Sequence, residues 1–237
     1  NHSFIHLLNR LSSLGSRGGG CWSLSQHSQG EDLSGKMFTF PQQTSTAHVK
    51  LSTTREDFSA VTVCLRSFTD LSRNHVLFSL ATPSAANDLM IFKWAPANQI
   101  EIAARNVGAV FDGQEYTLNA WLSVCATWDS ASGLEQLWLN GKPSSRKFTS
   151  AGSNIRGRAI ITLGQEQDSY GGGFDAKQSF VGMISDVHMW DYVLSPYEIH
   201  CYMDNINFTP GNVLNWRALD FQITGRVLLE EKQNIFH

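Results

Sequence analysis

The sequence predicts an all-β protein in which two antiparallel sheets pack together and one α-helix lies on one face. From residue 37 onward, short apolar runs alternate with turn-forming residues, at spacings close to the roughly 8 to 12 residues of a sandwich or barrel. One well-capped helix stands out among them, near residue 195. The length of 237 residues suits a single domain, because sandwiches of about 200 to 250 residues often form one unit.

The apolar runs predict the individual strands. They are short, rich in aliphatic and aromatic residues, and separated by polar or glycine-containing turns. The clearest are Met37–Phe40, Val76–Leu80, Leu89–Trp94, Ile100–Ala104, Leu134–Leu139 and Ala159–Leu163. The pair Asn140–Gly141 predicts a tight turn after one of them, because both residue types tolerate a positive φ.

One helix is predicted toward the C-terminal end of the sequence. Ser195 and Glu198 form a capping box, in which each side chain accepts a hydrogen bond from the other residue's backbone N–H. Pro196 occupies the first helical position, where its missing N–H does no harm. The helix is expected to end before Asn205. The apolar residues that follow the cap at helical spacing are Ile199, Tyr202 and Met203.

The composition excludes several classes of function. The formal net charge is −3, so the chain lacks the basic field that attracts nucleic acids or anionic membranes. Hydrophobic residues make up 42% and charged residues only 16%, which is typical of a globular chain and not of a disordered one. No run of about 18 apolar residues occurs, so insertion into a membrane is not predicted.

The sequence is divided into a short leader and one large domain. Residues 1–32 are predicted to be a poorly ordered leader or N-terminal extension with one weak helical pattern. The glycines Gly18–Gly20 and the serine-rich stretch after them favour this interpretation. Residues 33–237 are predicted to form the β domain.

The four cysteines fall into two groups. Cys64 and Cys125 each lie in a predicted strand, where they share a face with polar neighbours. One disulfide could join these strands and would place the chain in an oxidising compartment; two buried thiols are the alternative. Cys21 and Cys201 could pair, stay free or bridge two chains. No C-x-x-C pair occurs, so zinc binding is not expected.

The most unusual stretch is the loop after the strand Ala159–Leu163. It combines acids, amides and a triple glycine, namely Glu166, Gln167, Asp168, Gly171–Gly173, Asp175 and Gln178. No Lys or Arg lies among the acids before Lys177, so their like charges repel one another. Calcium relieves such repulsion, because it accepts about six to eight oxygen atoms from carboxylates, amides and backbone carbonyls. Soft metals would require Cys or His. The stretch therefore predicts a calcium loop built around Gln165–Asp168.

Two other interpretations of this loop remain open from the residues alone. It could be a solvated acidic loop without a ligand. Alternatively, Glu166 and Asp168 would share one face of a strand, as the acids do in some jelly-roll glycoside hydrolases. Position 171, where the second catalytic acid of such an enzyme would stand, is Gly171. Asp175 lies beyond the glycines, so the enzyme hypothesis is the weaker one.

Several motifs together resemble the pentraxin family, over roughly residues 33–232. The segment 124–130, VCATWDS, is similar to the family signature H-x-C-x-[ST]-W-x-[ST], with Ser123 in place of the histidine. The segment 163–182, LGQEQDSYGGGFDAKQSFVG, resembles the calcium loop of the family almost throughout. Two C-terminal segments are also similar to it, residues 189–196 and 212–219.

This resemblance implies a fold, an assembly and a function. The expected fold is a lectin-like jelly roll of two antiparallel sheets with one helix on one face. The expected function is that of a secreted, non-enzymatic recognition protein of innate immunity and the acute phase. It implies a cyclic homo-oligomer, usually a pentamer, with two calcium ions (Ca²⁺) per protomer. Phosphocholine, phosphoethanolamine or other anionic ligands would bind through those ions, and complement and Fc receptors would bind the opposite face.

The resemblance also implies roles for individual residues. Asp175 would bridge the two ions, Gln167 would contribute its backbone carbonyl, and Phe92 would form an apolar wall for the ligand. Cys64 and Cys125 would form the single core disulfide. The full set of implied calcium ligands is Asn87, from a distant loop, with Glu166, Gln167, Asp168, Asp175 and Gln178.

The sequence departs from the family pattern at Ala86 and in the stretch Asn106–Ala109. Ala86 stands where short pentraxins have an aspartate ligand, so one carboxylate is missing, although Asp88 is close enough to take a share as a possible calcium ligand. The stretch Asn106–Ala109 has no acid to face a choline cation. An adhesive module of the neuronal pentraxin type is the alternative. It would need an N-terminal coiled coil, for which residues 1–32 are short.

Overall fold

The structure is a computed structural model that describes residues 27–96 and 98–233. Within these ranges the chain forms short β-strands, one α-helix and two short 3₁₀ helices. The helix is α1, Pro196–Met203, and the 3₁₀ helices are Ala176–Gln178 and Trp216–Ala218. The strands are β1 His27–Glu31, β2 Lys36–Phe40, β3 His48–Leu51, β4 Asp57–Phe58, β5 Ala60–Phe68, β6 His75–Thr82, β7 Ala85–Lys93, β8 Ile100–Ala104, β9 Val107–Phe111, β10 Leu122–Asp129, β11 Leu134–Leu139, β12 Lys142–Pro143, β13 Lys147–Phe148, β14 Ile155–Arg156, β15 Ile160–Leu163, β16 Gly182–Trp190, β17 Leu219–Thr224 and β18 Leu228–Glu231.

The strands form two large sheets in which every pairing is antiparallel. The first, here called sheet A, has the order β1-β17-β3-β15-β6-β7-β8-β9. The second, sheet B, has the order β12-β11-β10-β5-β16-β2-β18, with β13 beside β11. Most neighbours in these orders are distant in sequence, so the chain crosses repeatedly between the sheets. The predicted two-sheet jelly roll with one helix is confirmed.

Alternation along the strands of sheet B separates two hydrophobic clusters. In β5, Val61, Val63 and Leu65 face the core between the sheets, whereas Cys64 faces the opposite side. The main core also contains the large buried side chains of Trp128, Trp216 and several phenylalanines. A second cluster lies on the outer side of sheet B, and α1 contributes Ile199 and Tyr202 to it. The helix therefore gives sheet B two buried faces.

The predicted disulfide is formed within this second cluster. Cys64 and Cys125 are direct partners in the β5–β10 ladder and are bonded to each other. Both are buried with Trp190 and Tyr202. The alternative of two buried thiols is therefore wrong. Cys201 is half-buried on α1 and has no disulfide partner within the described ranges, whereas Cys21 lies outside them.

The helix begins and ends where the sequence predicts. Ser195 Oγ accepts a hydrogen bond from Glu198 N at 3.2 Å, and Glu198 Oε1 accepts one from Ser195 N at 3.1 Å. Pro196 is the first helical residue, and the helix ends at Met203. No helix in the described ranges is long and apolar enough to span a membrane.

The N-terminal boundary differs from the prediction. Residues 1–32 were expected to form a poorly ordered leader, but β1 occupies His27–Glu31 and pairs with β17 at the edge of sheet A. Strand β1 therefore begins six residues before the predicted boundary at residue 33, because a sheet edge in the tertiary structure gives this polar segment a hydrogen-bonding partner. Residues 1–26 lie outside the described part of the chain.

Candidate functional site

The predicted calcium loop connects β15 of sheet A to β16 of sheet B. It leaves β15 at Gly164, whose φ is +95° and whose missing Cβ would lie 2.5 Å from the Phe40 ring, so only glycine fits there. Gly173 has a φ of +73°, and a Cβ at that position would lie 2.8 Å from the Asp168 side chain. The glycines therefore allow the loop to fold back closely on Asp168.

Buried amide side chains anchor the first part of the loop. Gln165 Nε2 donates to Thr44 O at 2.7 Å and to Ala47 O at 3.0 Å. Gln167 Nε2 donates to Ile160 O at 2.9 Å, and its Oε1 accepts from Gly171 N at 2.9 Å. Both side chains are thus used to hold the loop. Of the two oxygens of Gln167, the backbone carbonyl remains for a ligand, as the family resemblance implies.

Three of the predicted ligands converge on one point. The Asn87 amide faces Glu166 Oε1 at 2.8 Å and the carbonyl oxygen of Gln167 at 3.3 Å. The amide nitrogen can donate to both oxygens, whereas with its oxygen turned inward three oxygen atoms face one another without a donor. Asn87 lies within β7 and not in a loop, so this part of the prediction is corrected. Pairing of β7 with β6 places it beside the loop.

Whether these residues suit a cation depends on their buried oxygen atoms that lack hydrogen-bond partners. Glu166 Oε2 and Gln178 Oε1 are buried and have no hydrogen-bond partner within the described ranges. Burial raises the pKa of Glu166 to about 8, and the nearby Asp168 carboxylate contributes to the shift. Hard cations such as calcium take oxygen ligands of this kind, so the residues fit calcium. No three His, Cys, Asp or Glu side chains in the described chain form a metal cluster alone, so amide and carbonyl oxygens are needed.

The other two predicted carboxylate ligands, Asp168 and Asp175, lie at the exposed rim of these buried oxygen atoms. Asp168 is exposed, and it lines a cavity of about 190 Å³ together with Asn87, Glu166 and Gln178. Asp175 is also exposed and does not line the cavity. Its Oδ1 accepts a hydrogen bond from Lys177 N at 2.9 Å and caps the 3₁₀ helix that contains Gln178.

Asp88 was suggested as a replacement for the carboxylate missing at Ala86, and the structure contradicts this suggestion. The Asp88 side chain is fully buried and lies in a salt bridge with Arg105, at 2.6 Å and 2.8 Å. It also accepts a hydrogen bond from Thr82 Oγ1 at 2.5 Å. Both carboxylate oxygens of Asp88 are therefore engaged in a buried ion pair with Arg105, and neither is left for calcium.

The glycosidase geometry is also absent. Glu166 and Asp168 were considered as two acids on one strand face, but β15 ends at Leu163, before either residue. Glu166 is buried and Asp168 is exposed, so the two carboxylates occupy different environments and do not form an acid pair on a strand. The chain leaves the strand early because Gly164 turns it with a positive φ.

Two aromatic residues and an acid line the same cavity. Phe92 is only 2% exposed and packs edge-on against Trp94, with ring centroids 4.9 Å apart. Trp94 Nε1 donates to Glu101 Oε2 at 2.9 Å, and Glu101 Oε1 occupies the space in which a side chain at Gly108 would lie. The stretch Asn106–Ala109 has no acid, as expected, but β8 supplies one beside it.

Sequence reasoning missed both Glu101 and Trp94. The only available signal for Glu101 was a charged residue inside the otherwise apolar strand β8. Its position over Gly108 depends on the pairing of β8 with β9, in which Ala103 stands opposite Gly108. Arg73 was also missed, although it contacts the loop beside Gln178.

A family model decides the classification of the chain. The pentaxin (pentraxin) family model matches residues 36–231, which is most of the sequence. The chain belongs to the pentaxin family. C-reactive protein of Rattus norvegicus is 44% identical over 209 residues, covering 88% of this chain and 90% of that protein. Serum amyloid P-component of Mesocricetus auratus is 40% identical over 202 residues, covering 85% of each.

The pentaxin fold is also found among solved structures. A heptameric SAP-like pentraxin from Limulus polyphemus superposes with a TM-score of 0.78 and 23% identity, over 84% of this chain and 96% of that one. At this identity the likeness concerns the fold. Pentaxins related to C-reactive protein and serum amyloid P-component are recognition proteins without enzymatic activity, and this chain is a pentaxin of that kind. The glycoside hydrolase hypothesis is therefore wrong.

Proposed function

We propose that the protein is a secreted pattern-recognition pentaxin that binds phosphocholine, phosphoethanolamine or other anionic ligands in a calcium-dependent manner. One observation carries the proposal: Asn87, Glu166 and the Gln167 carbonyl converge at 2.8 Å and 3.3 Å, beside buried oxygens without donors. In folded proteins, buried oxygen atoms of this kind are normally hydrogen-bonded, because an unsatisfied buried acceptor is destabilising. A bound cation is the simplest partner for them.

Two calcium ions per protomer would be held by six residues. Glu166, the Gln167 carbonyl and Asn87 form the buried part, while Asp168 and Asp175 are the exposed carboxylates. Gln178 completes the set, with its buried Oε1. When bound, calcium supplies positive charge and open coordination positions for a phosphate oxygen. Because Ala86 contributes no carboxylate and Asp88 is paired with Arg105, we expect weaker calcium binding than in a pentaxin with a full ligand set.

The cavity beside these oxygens supports a ligand that also carries a positive charge. Glu101 places a carboxylate over Gly108, and Trp94 holds it in position through its indole N–H. The rings of Phe92 and Trp94 form the adjoining apolar wall. An anion-binding position next to an acid and aromatic rings suits a zwitterionic headgroup such as phosphocholine. Engagement of complement and Fc receptors is proposed from family membership alone.

Binding to phosphocholine resin tests this function. We expect retention in millimolar calcium and release in EDTA, because no Lys or Arg of the described chain lines the cavity where the anion would bind. Glu166→Gln is expected to weaken calcium binding by at least tenfold, since it removes a charged ligand from the buried part of the site. Isothermal titration calorimetry with calcium alone provides the second measurement.

Glu115→Gln is the matched control, because its side chain is 83% exposed and lies outside the site. This variant is expected to bind calcium and resin like the unmodified protein. Retention of the unmodified protein on the resin in EDTA would refute the calcium-dependent mechanism. Failure to bind calcium at all would refute the proposed site.

A further inference from the structure

Arg73, in the connection between β5 and β6, reaches across to the second half of the calcium loop. Its Nη1 donates to Ser179 O at 2.7 Å and to Lys177 O at 3.1 Å. Its Nη2 lies 3.4 Å from Ser179 Oγ. These partners are 104 and 106 residues away in sequence. One guanidinium thus holds the two carbonyls that flank Gln178.

The segment that Arg73 holds has little stability of its own. Residues Ala176–Gln178 form a single 3₁₀ turn, capped by Asp175 through Lys177 N. A helix of one turn is not stable in isolation, because the conformational cost of its first turn exceeds the gain from its few hydrogen bonds. The turn nevertheless carries two of the proposed calcium ligands, Asp175 at its start and Gln178 at its end. Its position therefore depends on contacts with the body of the protein.

The guanidinium geometry suits this task. Arginine presents several N–H groups in a rigid plane, so one side chain can bind two carbonyls and a hydroxyl at once. Charge-assisted hydrogen bonds of this kind are stronger than neutral ones. The positive charge of Arg73 would by itself repel a calcium ion, whereas its hydrogen bonds to the Lys177 and Ser179 carbonyls hold the turn that carries the proposed ligands.

We infer that Arg73 is a positioning residue for calcium, which fixes the Asp175–Gln178 turn against the sheet and so prearranges half of the site. The inference rests on the proposed calcium-binding function. Arg73 does not itself contact calcium or the ligand. Without it, the turn would have to be ordered when calcium binds, and calcium affinity would fall by the free energy of that ordering.

Two substitutions separate positioning from charge. Arg73→Met removes both the charge and the hydrogen bonds, whereas Arg73→Lys keeps the charge but loses the planar fork. We expect Arg73→Met to weaken calcium binding about tenfold or more, the factor associated with one charge-assisted hydrogen bond. Arg73→Lys is expected to weaken it as well, by a smaller factor. Calorimetry with calcium alone measures both affinities. Arg146→Met is the matched control, because Arg146 is exposed and does not line the cavity beside the loop.

Hydrogen exchange in EDTA gives a second readout that does not depend on calcium. We expect faster exchange at the amides of Gln178 and Ser179 in both Arg73 variants, with unchanged exchange in β5 and β10. Tighter calcium binding by Arg73→Met, or unchanged affinity together with unchanged exchange, would overturn the positioning role. If the unmodified protein binds no calcium, the proposed function fails, and exchange alone still decides whether Arg73 fixes the turn.

Discussion

Two buried glutamates, Glu166 and Glu135, illustrate how the same residue type serves different purposes. Glu166 lies among other oxygens, next to the exposed Asp168 and the amide of Asn87. Glu135 lies in β11, is fully buried and has no hydrogen-bond partner within the described ranges. A group of oxygens around one acid favours a cation, whereas burial of an acid without a neighbouring cation favours the protonated form.

Glu135 is therefore expected to make the stability of the fold depend on pH. Burial raises the pKa of Glu135 to about 9, far above the ordinary value of 4.5 that applies to the unfolded chain. Between these two pKa values the folded chain holds a proton that the unfolded chain has released, so stability falls as pH rises. We expect Glu135→Gln to raise the free energy of unfolding at pH 8 by a few kcal/mol, on the order expected from about 1.4 kcal/mol per pKa unit.

Urea unfolding at several pH values provides the measurement. The difference between Glu135→Gln and the unmodified protein should shrink toward pH 5, where the acid stays protonated in the folded chain and becomes partly protonated in the unfolded chain as well. Glu230→Gln serves as the control, because Glu230 is exposed on β18. A stability difference that is the same at pH 5 and pH 8 would contradict a proton held by Glu135.

At the scale of elements, α1 is too short to be stable by itself. It has only eight residues, and isolated helices below about 12 to 15 residues are marginal in water. Its stability comes from the capping box and from Ile199 and Tyr202, which pack on the disulfide-bonded face of sheet B. Tyr202 also donates a hydrogen bond from its hydroxyl to Asp186 O at 2.7 Å. The helix and the sheet face it covers are thus mutually dependent.

Removal of the cap tests this dependence. We expect Ser195→Ala to lower the free energy of unfolding by about 1 kcal/mol, because Glu198 N loses its acceptor at the helix start. Chemical denaturation monitored by tryptophan fluorescence measures the change. Ser195→Thr keeps the hydroxyl and is expected to lose much less. Equal losses in the two variants would mean that the side-chain cap contributes nothing.

At the scale of the whole molecule, several weak sites could act together. We expect the protein to form a cyclic homo-oligomer whose calcium sites face the same way, as is proposed from family membership. Linking several sites converts later binding events into intramolecular ones and can raise avidity about 10² to 10⁴-fold. Even if each calcium site is weak because Ala86 supplies no carboxylate, the oligomer would then still bind a surface that carries many headgroups.

Ligand density tests this expectation. Binding to surfaces with sparse and dense phosphocholine is measured in calcium, together with competition by free phosphocholine. We expect apparent affinity to rise at least 100-fold with density, within the range that multivalency allows. Sedimentation velocity with and without calcium determines the oligomer in parallel. An apparent affinity that is the same on both surfaces would exclude a multivalent mode.

Many structural features of this protein were determined by residues that are close together in the sequence. The strands Ile100–Ala104 and Leu134–Leu139, the capping box at Ser195 and the loop around Glu166 were all predicted where they occur. These features depend on residues that are near in sequence, whose backbone preferences and side-chain spacing act locally. The disulfide could also be anticipated, because strand parity and family resemblance agreed on Cys64 and Cys125.

Only the tertiary structure decided which distant residues meet. It placed Asn87 beside Glu166, assigned Asp88 to Arg105, put the Glu101 carboxylate over Gly108 and joined Arg73 to the turn that contains Gln178. It also gave residues 27–31 a partner strand at a sheet edge. The physical reason is that these contacts depend on strand order and register, which arise from packing two whole sheets together. Local sequence patterns define each strand but do not specify its neighbour.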